Sequence, residues 1–83
     1  MILTPENIVE KAFAAHQEYK TMHIKTPTVL WINWNTYHIF EAAKDKLTGL
    51  ATLKNGKLTN FCDMYLGIDP IMGDDCFVFR RDL

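Results

Sequence analysis

The sequence predicts an α+β fold, two helices packed on a small mixed or antiparallel sheet in the order α-β-α-β-β-β, built as one domain over residues 1–83. Three observations carry this. Val29-Leu30-Trp31-Ile32 is an apolar run rich in β-branched and aromatic residues, and it ends on Asn33, which can cap a helix. Helical periodicity lies on both sides of that run. Beyond Gly49 the chain breaks into short apolar segments separated by turn residues.

Thr4-Pro5-Glu6 reads as an N-cap, a first-position proline and an acidic first-turn residue, so the first helix is expected to start there. Leu3 and Ile8 fit a hydrophobic staple, and Ile8, Val9, Ala12, Phe13 and His16 recur at helical spacing to about Tyr19. Thr26-Pro27 then biases the chain toward extended geometry, and apolar residues at both parities of Val29–Ile32 predict a central strand with Trp31 in the core. The second helix is expected over Trp34–Leu47, its buried side built from Phe40, Ala43 and Leu47, with Gly49 ending it.

Asn55-Gly56 is the pair that a type I′ hairpin turn requires, and a two-residue loop there sets Leu53 opposite Leu58 and Leu50 opposite Phe61. Met64, Leu66 and Ile68 alternate along a further strand, Asp69-Pro70 to Gly73-Asp74 breaks the chain, and Cys76–Phe79 forms the last strand. The last two strands are expected to pair as a hairpin.

Composition bounds the function. A chain of 83 residues with 48% hydrophobic content intends a core, but one this small buries only roughly 60% of its unfolded surface, so a partner or a second copy is expected to add stability. Nine basic residues against ten acidic leave a net charge of -1, without the basic footprint of a general nucleic-acid binder. The start has no basic segment followed by a long apolar one, and no run approaches the ~20 residues that span a bilayer, so neither secretion nor membrane insertion is expected.

No residue set forms a known reaction centre, and neither enzymatic activity nor a cofactor is expected. Cys62 and Cys76, both in expected strands, lack zinc-ligand spacing and read as structural thiols; His16, His23 and His38 have no motif that pairs them with either thiol. Asp63, Asp69, Asp74 and Asp75 match no EF-hand and read as turn chemistry rather than a metal site. The strand-to-helix junction is different. Trp34 stands at the first helical position between polar neighbours, and with Asn35, Tyr37 and His38 it makes the candidate partner-binding surface, since large aromatics dominate interface energetics. Arg80 and Arg81 add a small basic patch.

The segment from Pro27 to Phe79 carries a strand ending in Asn33, a helix with an aromatic at Tyr37, and a later strand reading Leu66-Gly67-Ile68-Asp69. It resembles a strand-helix-strand piece of HK97-type capsid proteins. The chain is far shorter than a capsid subunit and lacks the long helix and extended arm of that fold, so the resemblance implies a phage or prophage origin rather than a shell-forming role. Small phage accessory proteins of this size are often binders that block a host enzyme or defence complex, anti-CRISPR proteins among them. The expected function is therefore a non-enzymatic interaction protein that blocks a host or phage protein in the host-cell cytoplasm. The alternatives are a virion or assembly component that self-associates through a sheet edge, and a metal-dependent enzyme using the aspartates.

Overall fold

The strands are β1 (Val29–Ile32), β2 (Ala51–Lys54), β3 (Lys57–Phe61), β4 (Met64–Ile68) and β5 (Val78–Arg80); the helices are α1 (Ile8–Met22) and α2 (Trp34–Ala42), the latter followed by a 3-10 turn at Lys44–Lys46. The computed structural model describes residues 2–23, 25–47, 49–55 and 57–81, and of Leu53 the backbone alone. The protein is an α+β structure with one five-stranded mixed sheet of order β2-β3-β4-β1-β5. β1 runs inside it, parallel to β4 and antiparallel to β5. Among the described residues no helix is long and apolar enough to cross a membrane.

Four strands follow α2, not three, and β4 and β5 do not form a hairpin, because β1 lies between them. The hairpin arms, Met64–Ile68 and the last strand make the four, one more than the order α-β-α-β-β-β counts, and β3 and β4 are joined where the chain reverses at Cys62-Asp63, with Phe61 paired to Met64 across the turn. Cys62 (φ 50°) and Asp63 (φ 67°) both adopt the left-handed conformation, as the central residues of a type I′ turn must. Cys62 therefore sits in a turn, and Cys76 precedes β5 in a loop, so neither thiol lies in a strand. The left-handed region costs an ordinary side chain about 1 to 2 kcal/mol, and glycine nothing comparable. Asp63 is exposed, so Asp63→Gly is expected to raise stability by about 0.5 to 1 kcal/mol, read as a higher urea midpoint at unchanged slope. A lowered midpoint would show that the turn carries no such strain.

Leu53 pairs with Leu58 and Lys54 with Lys57, as a two-residue loop dictates, and Asn55 has the positive φ (54°) of its first central residue. Gly56 lies outside the described residues. Beyond Leu58 the register shifts: Thr52 pairs with Asn60, so Thr59 is an extra residue in β3 and Phe61 meets Ala51 instead of Leu50. This bulge reverses the side-chain parity of β3, which is how Leu58 and Phe61, three positions apart, both come to be buried.

Both helices pack on one face of the sheet. Leu3 and Ile8 are both buried, though with the cap at Asn7 they do not hold the N′ and N4 positions of a staple, and Ile8, Ala12, Phe40 and Ala43 meet Leu30, Ile32, Phe61 and Met64 in a single core. Phe40 carries α2 onto the sheet, its ring 5.4 Å from that of Phe61 and 6.2 Å from that of Phe77. On α1, His16 and Tyr19 set their rings 6.0 and 5.8 Å from Phe79.

The first helix starts later and ends later than the sequence suggests. Thr4-Pro5-Glu6 is a turn, and Asn7 takes the cap position, its Oδ1 accepting from the Thr4 amide at 2.8 Å while the Thr4 carbonyl accepts from Ile8 at 2.9 Å. The second ends earlier, at Ala42, where the Ala43 amide is shared between the Ile39 and Phe40 carbonyls and the chain tightens into the 3-10 turn that buries Leu47. Gly49 then turns the chain with φ +82°.

Trp31 is not in the core. With Leu30 and Ile32 facing the helices, Val29 and Trp31 fall on the opposite, helix-free face, and the Trp31 ring lies over Gly67, its register partner in β4. Tyr65 of β4 and Val78 of β5 share that face. The edge strands are short, three residues in β5 and four in β2. Arg81 does not project freely as part of a basic patch, since its guanidinium donates to the Thr26 carbonyl at 2.9 Å.

Candidate functional site

Asn33 fixes the geometry of the junction. Its extended backbone ends β1, its Oδ1 accepts from the Thr36 amide at 2.9 Å, and α2 begins at once with Trp34. The Asn33 side-chain amide also donates to the Met72 carbonyl and, at 2.6 Å, to Asp74, tying the Asp69–Asp75 loop to the start of α2. Because the cap is buried and the loop holds it, Trp34 is turned outward and left 53% exposed.

Trp34, Tyr37 and His38 form one wall of a groove of about 780 Å3, with Glu41 at its end. Their rings pack on one another: Trp34 stands edge-on to Tyr37 at 5.9 Å and lies over His38 at 6.2 Å. His38 Nδ1 lies 3.1 Å from Glu41 Oε1, and the Tyr37 hydroxyl donates to the Leu58 carbonyl at 3.0 Å. Burial, seconded by Glu41, pushes the Tyr37 hydroxyl above its usual range, so it stays a neutral donor. Opposite stand Lys57, Leu58 and Thr59 of β3, while Leu66 and Ile68 of β4 close the floor. The wall is thus a rigid aromatic set on a capped helix, facing an apolar floor with lysines on the far lip.

Three of the four candidate residues are brought together. Asn35 is not with them: it faces the other way and donates to Asp74 at 3.0 Å, on the side of α2 where the 69–75 loop docks. The β3 and β4 side of the groove was not legible in the sequence, because it depends on the bulge at Thr59, which no residue type announces.

Three of the four aspartates make hydrogen bonds within the fold. Asp69 accepts from the Ile71 amide, Asp75 from the Leu3 amide, and Asp74 from both asparagines, hydrogen bonds that hold its carboxyl below the usual range. Among the described residues no group of three or more His, Cys, Asp or Glu is placed to hold a metal ion.

His16 and Cys62 line a second depression together with Lys20 and Asp63. Their environment works against a thiolate-imidazolium pair. Burial, with Asp63 beside it, pushes the Cys62 thiol up, and burial, helped by Lys20 and opposed by Asp63, pushes the His16 imidazole down, so both are held neutral. His16 Nδ1 is buried without a hydrogen-bond partner among the described residues. Since the folded state holds its proton less tightly than the unfolded state, whose ordinary value is 6.5, the His16 contribution to stability is present above that pH and is lost as the pH falls below it. His16→Leu is therefore expected to lose less stability than the parent between about pH 7 and about pH 5, measured by urea unfolding at each pH. Equal losses in the two proteins would mean that His16 titrates as it does in the unfolded chain.

Compared with protein-family models, with curated proteins and with solved structures, the chain finds no match in any of the three.

Proposed function

We propose that this chain is a non-enzymatic protein that binds and blocks a protein partner through the groove walled by Trp34, Tyr37 and His38. The observation that carries the reading is Trp34, a large aromatic left 53% exposed on a rigid, capped helix beside half-buried Tyr37. Tryptophan and tyrosine are the residues most often found to dominate binding energy. Trp34 stands outside the buried core. A phage or prophage origin and an anti-CRISPR-like action belong to the same proposal and rest on the sequence resemblance.

The test separates stability from binding. Trp34→Ala is expected to cost about 1 kcal/mol or less in folding stability and to weaken partner binding by about 2 kcal/mol or more. The partner is sought by affinity capture from candidate host cells with the parent and the variant side by side, and its affinity is then measured by calorimetry. A stable variant that keeps full affinity removes Trp34 from the site.

Self-association is a second reading, and one observation favours it. The helix-free sheet face carries Tyr65, 64% exposed, beside half-buried Val29, Trp31 and Val78. Light scattering of the parent and of Val78→Lys, on that face and outside the groove lining, distinguishes the two: this reading requires a parent oligomer that the substitution dissociates.

A further inference from the structure

We infer that the groove takes an extended peptide segment of a protein partner, added as a strand beside β4; this rests on the binding role proposed above. β4 has one satisfied flank. Tyr65 donates to the Thr28 carbonyl and Asp69 to the Ile32 carbonyl, each at 2.9 Å. In a parallel ladder the backbone groups of alternate residues point to alternate flanks, so Tyr65, Gly67 and Asp69 serve β1 while Leu66 and Ile68 turn the other way.

On that other flank β3 pairs with β4 only at Phe61–Met64 and Asn60–Tyr65. The bulge at Thr59 then bends β3 away, and the Leu58 carbonyl is taken by the Tyr37 hydroxyl. Ile68 lies beyond the last pair and lines the groove; by the same alternation its N–H and C=O turn to this flank, where no strand stands opposite among the described residues. A strand edge inside a groove is what strand addition requires: the main chain supplies hydrogen bonds and the pockets read alternate side chains.

The walls define the segment. Trp34, Tyr37 and Leu58 offer an apolar seat for a side chain directed toward α2, while Lys54 and Lys57 line the far lip. Glu41, at the end of the helix wall, already faces His38. The segment that fits is extended, carries one apolar or aromatic residue, and has Asp or Glu toward the lysine lip.

A yeast-displayed library of linear peptides supplies the probe. Selected binders are expected to share an apolar residue flanked by acidic ones and to bind Trp34→Ala roughly tenfold or more weakly. N-methylation of the tightest peptide at one set of alternate residues is expected to weaken binding roughly tenfold, and at the intervening set to leave it unchanged. In amide hydrogen exchange, Gly67 and Asp69 should be protected in the free protein, and Ile68 only once the peptide is added.

If Trp34→Ala weakens binding but neither N-methylated series does and Ile68 stays unprotected, strand addition is overturned and the groove remains a binding site. Binders indifferent to Trp34→Ala overturn the binding role itself. A library without binders overturns the peptide proposal, leaving the captured-partner test to judge the groove. Protection of Ile68 that rises with protein concentration in the absence of peptide makes the occupant a second copy and overturns the partner segment.

Discussion

Phe40→Ala is expected to cost about 3 to 5 kcal/mol of folding stability and to lower the melting temperature by roughly 12 to 40 °C. The ring has no exposed surface and joins α2 to two parts of the sheet, through Phe61 and through Phe77 ahead of β5. Removing it opens a cavity at the meeting point of both layers, where neither helix nor sheet can collapse without breaking other contacts. A chain of 83 residues has about 4 to 12 kcal/mol to lose, so the substitution consumes a large part of the whole. Circular dichroism melting reads the result. A cooperative transition within a few degrees of the parent would mean that α2 is held mainly by its asparagine cap and loop rather than by the aromatic core. The contrast with Trp34→Ala is the sharper test of the fold, because the two residues lie in the same helix and only one is required for folding.

What could be read from the sequence was local chemistry. Asn33 caps α2 because a short amide side chain after a strand has few better partners than the amides of the next turn, and the burial of Leu3 and Ile8 follows from their apolar character. The Asn55 turn and the Leu53–Leu58 pairing were legible for the same reason. What escaped depends on distant chain. Cys62-Asp63 reverses direction without any glycine or asparagine, held by the pairing of Phe61 with Met64 on either side, so the reversal was hidden inside what looked like strand. With apolar residues at both parities, β1 gives no sign of which side meets the helices; Trp31 went to the open face because the core side is filled by Leu30 and Ile32. For the candidate site, periodicity was enough to place Trp34, Tyr37 and His38 together, since they lie within one turn of helix. Asn35 was lost from the group because its orientation is set by Asp74, far along the chain, and the opposite wall was invisible because Thr59 is an extra residue only in relation to β2.

Gly67→Ala is expected to destabilise the protein by about 1 to 3 kcal/mol, and the loss is expected to vanish when Trp31 is shortened. A Cβ at Gly67 would lie 2.6 Å from the Trp31 ring, closer than carbon atoms approach without one of them moving. The backbone is held in register, Trp31 opposite Gly67 between the bonds from Tyr65 and Asp69, so the ring must leave. Leaving means giving up its contact with the strand and exposing indole to water. In a Trp31→Ala background the three closest atoms, all of the indole ring, are gone, and a methyl in a strand interior is then neutral or mildly favourable compared with glycine. The double-mutant cycle therefore carries a coupling of about 1 kcal/mol or more, and any other interaction that Trp31 makes is absent from both proteins with the shortened side chain and drops out of the comparison. Chemical unfolding of the four proteins gives the number. Additive effects would place the ring away from Gly67 and leave the glycine without a steric reason. A coupling of the expected sign establishes that the helix-free face is built around one aromatic side chain seated on one glycine.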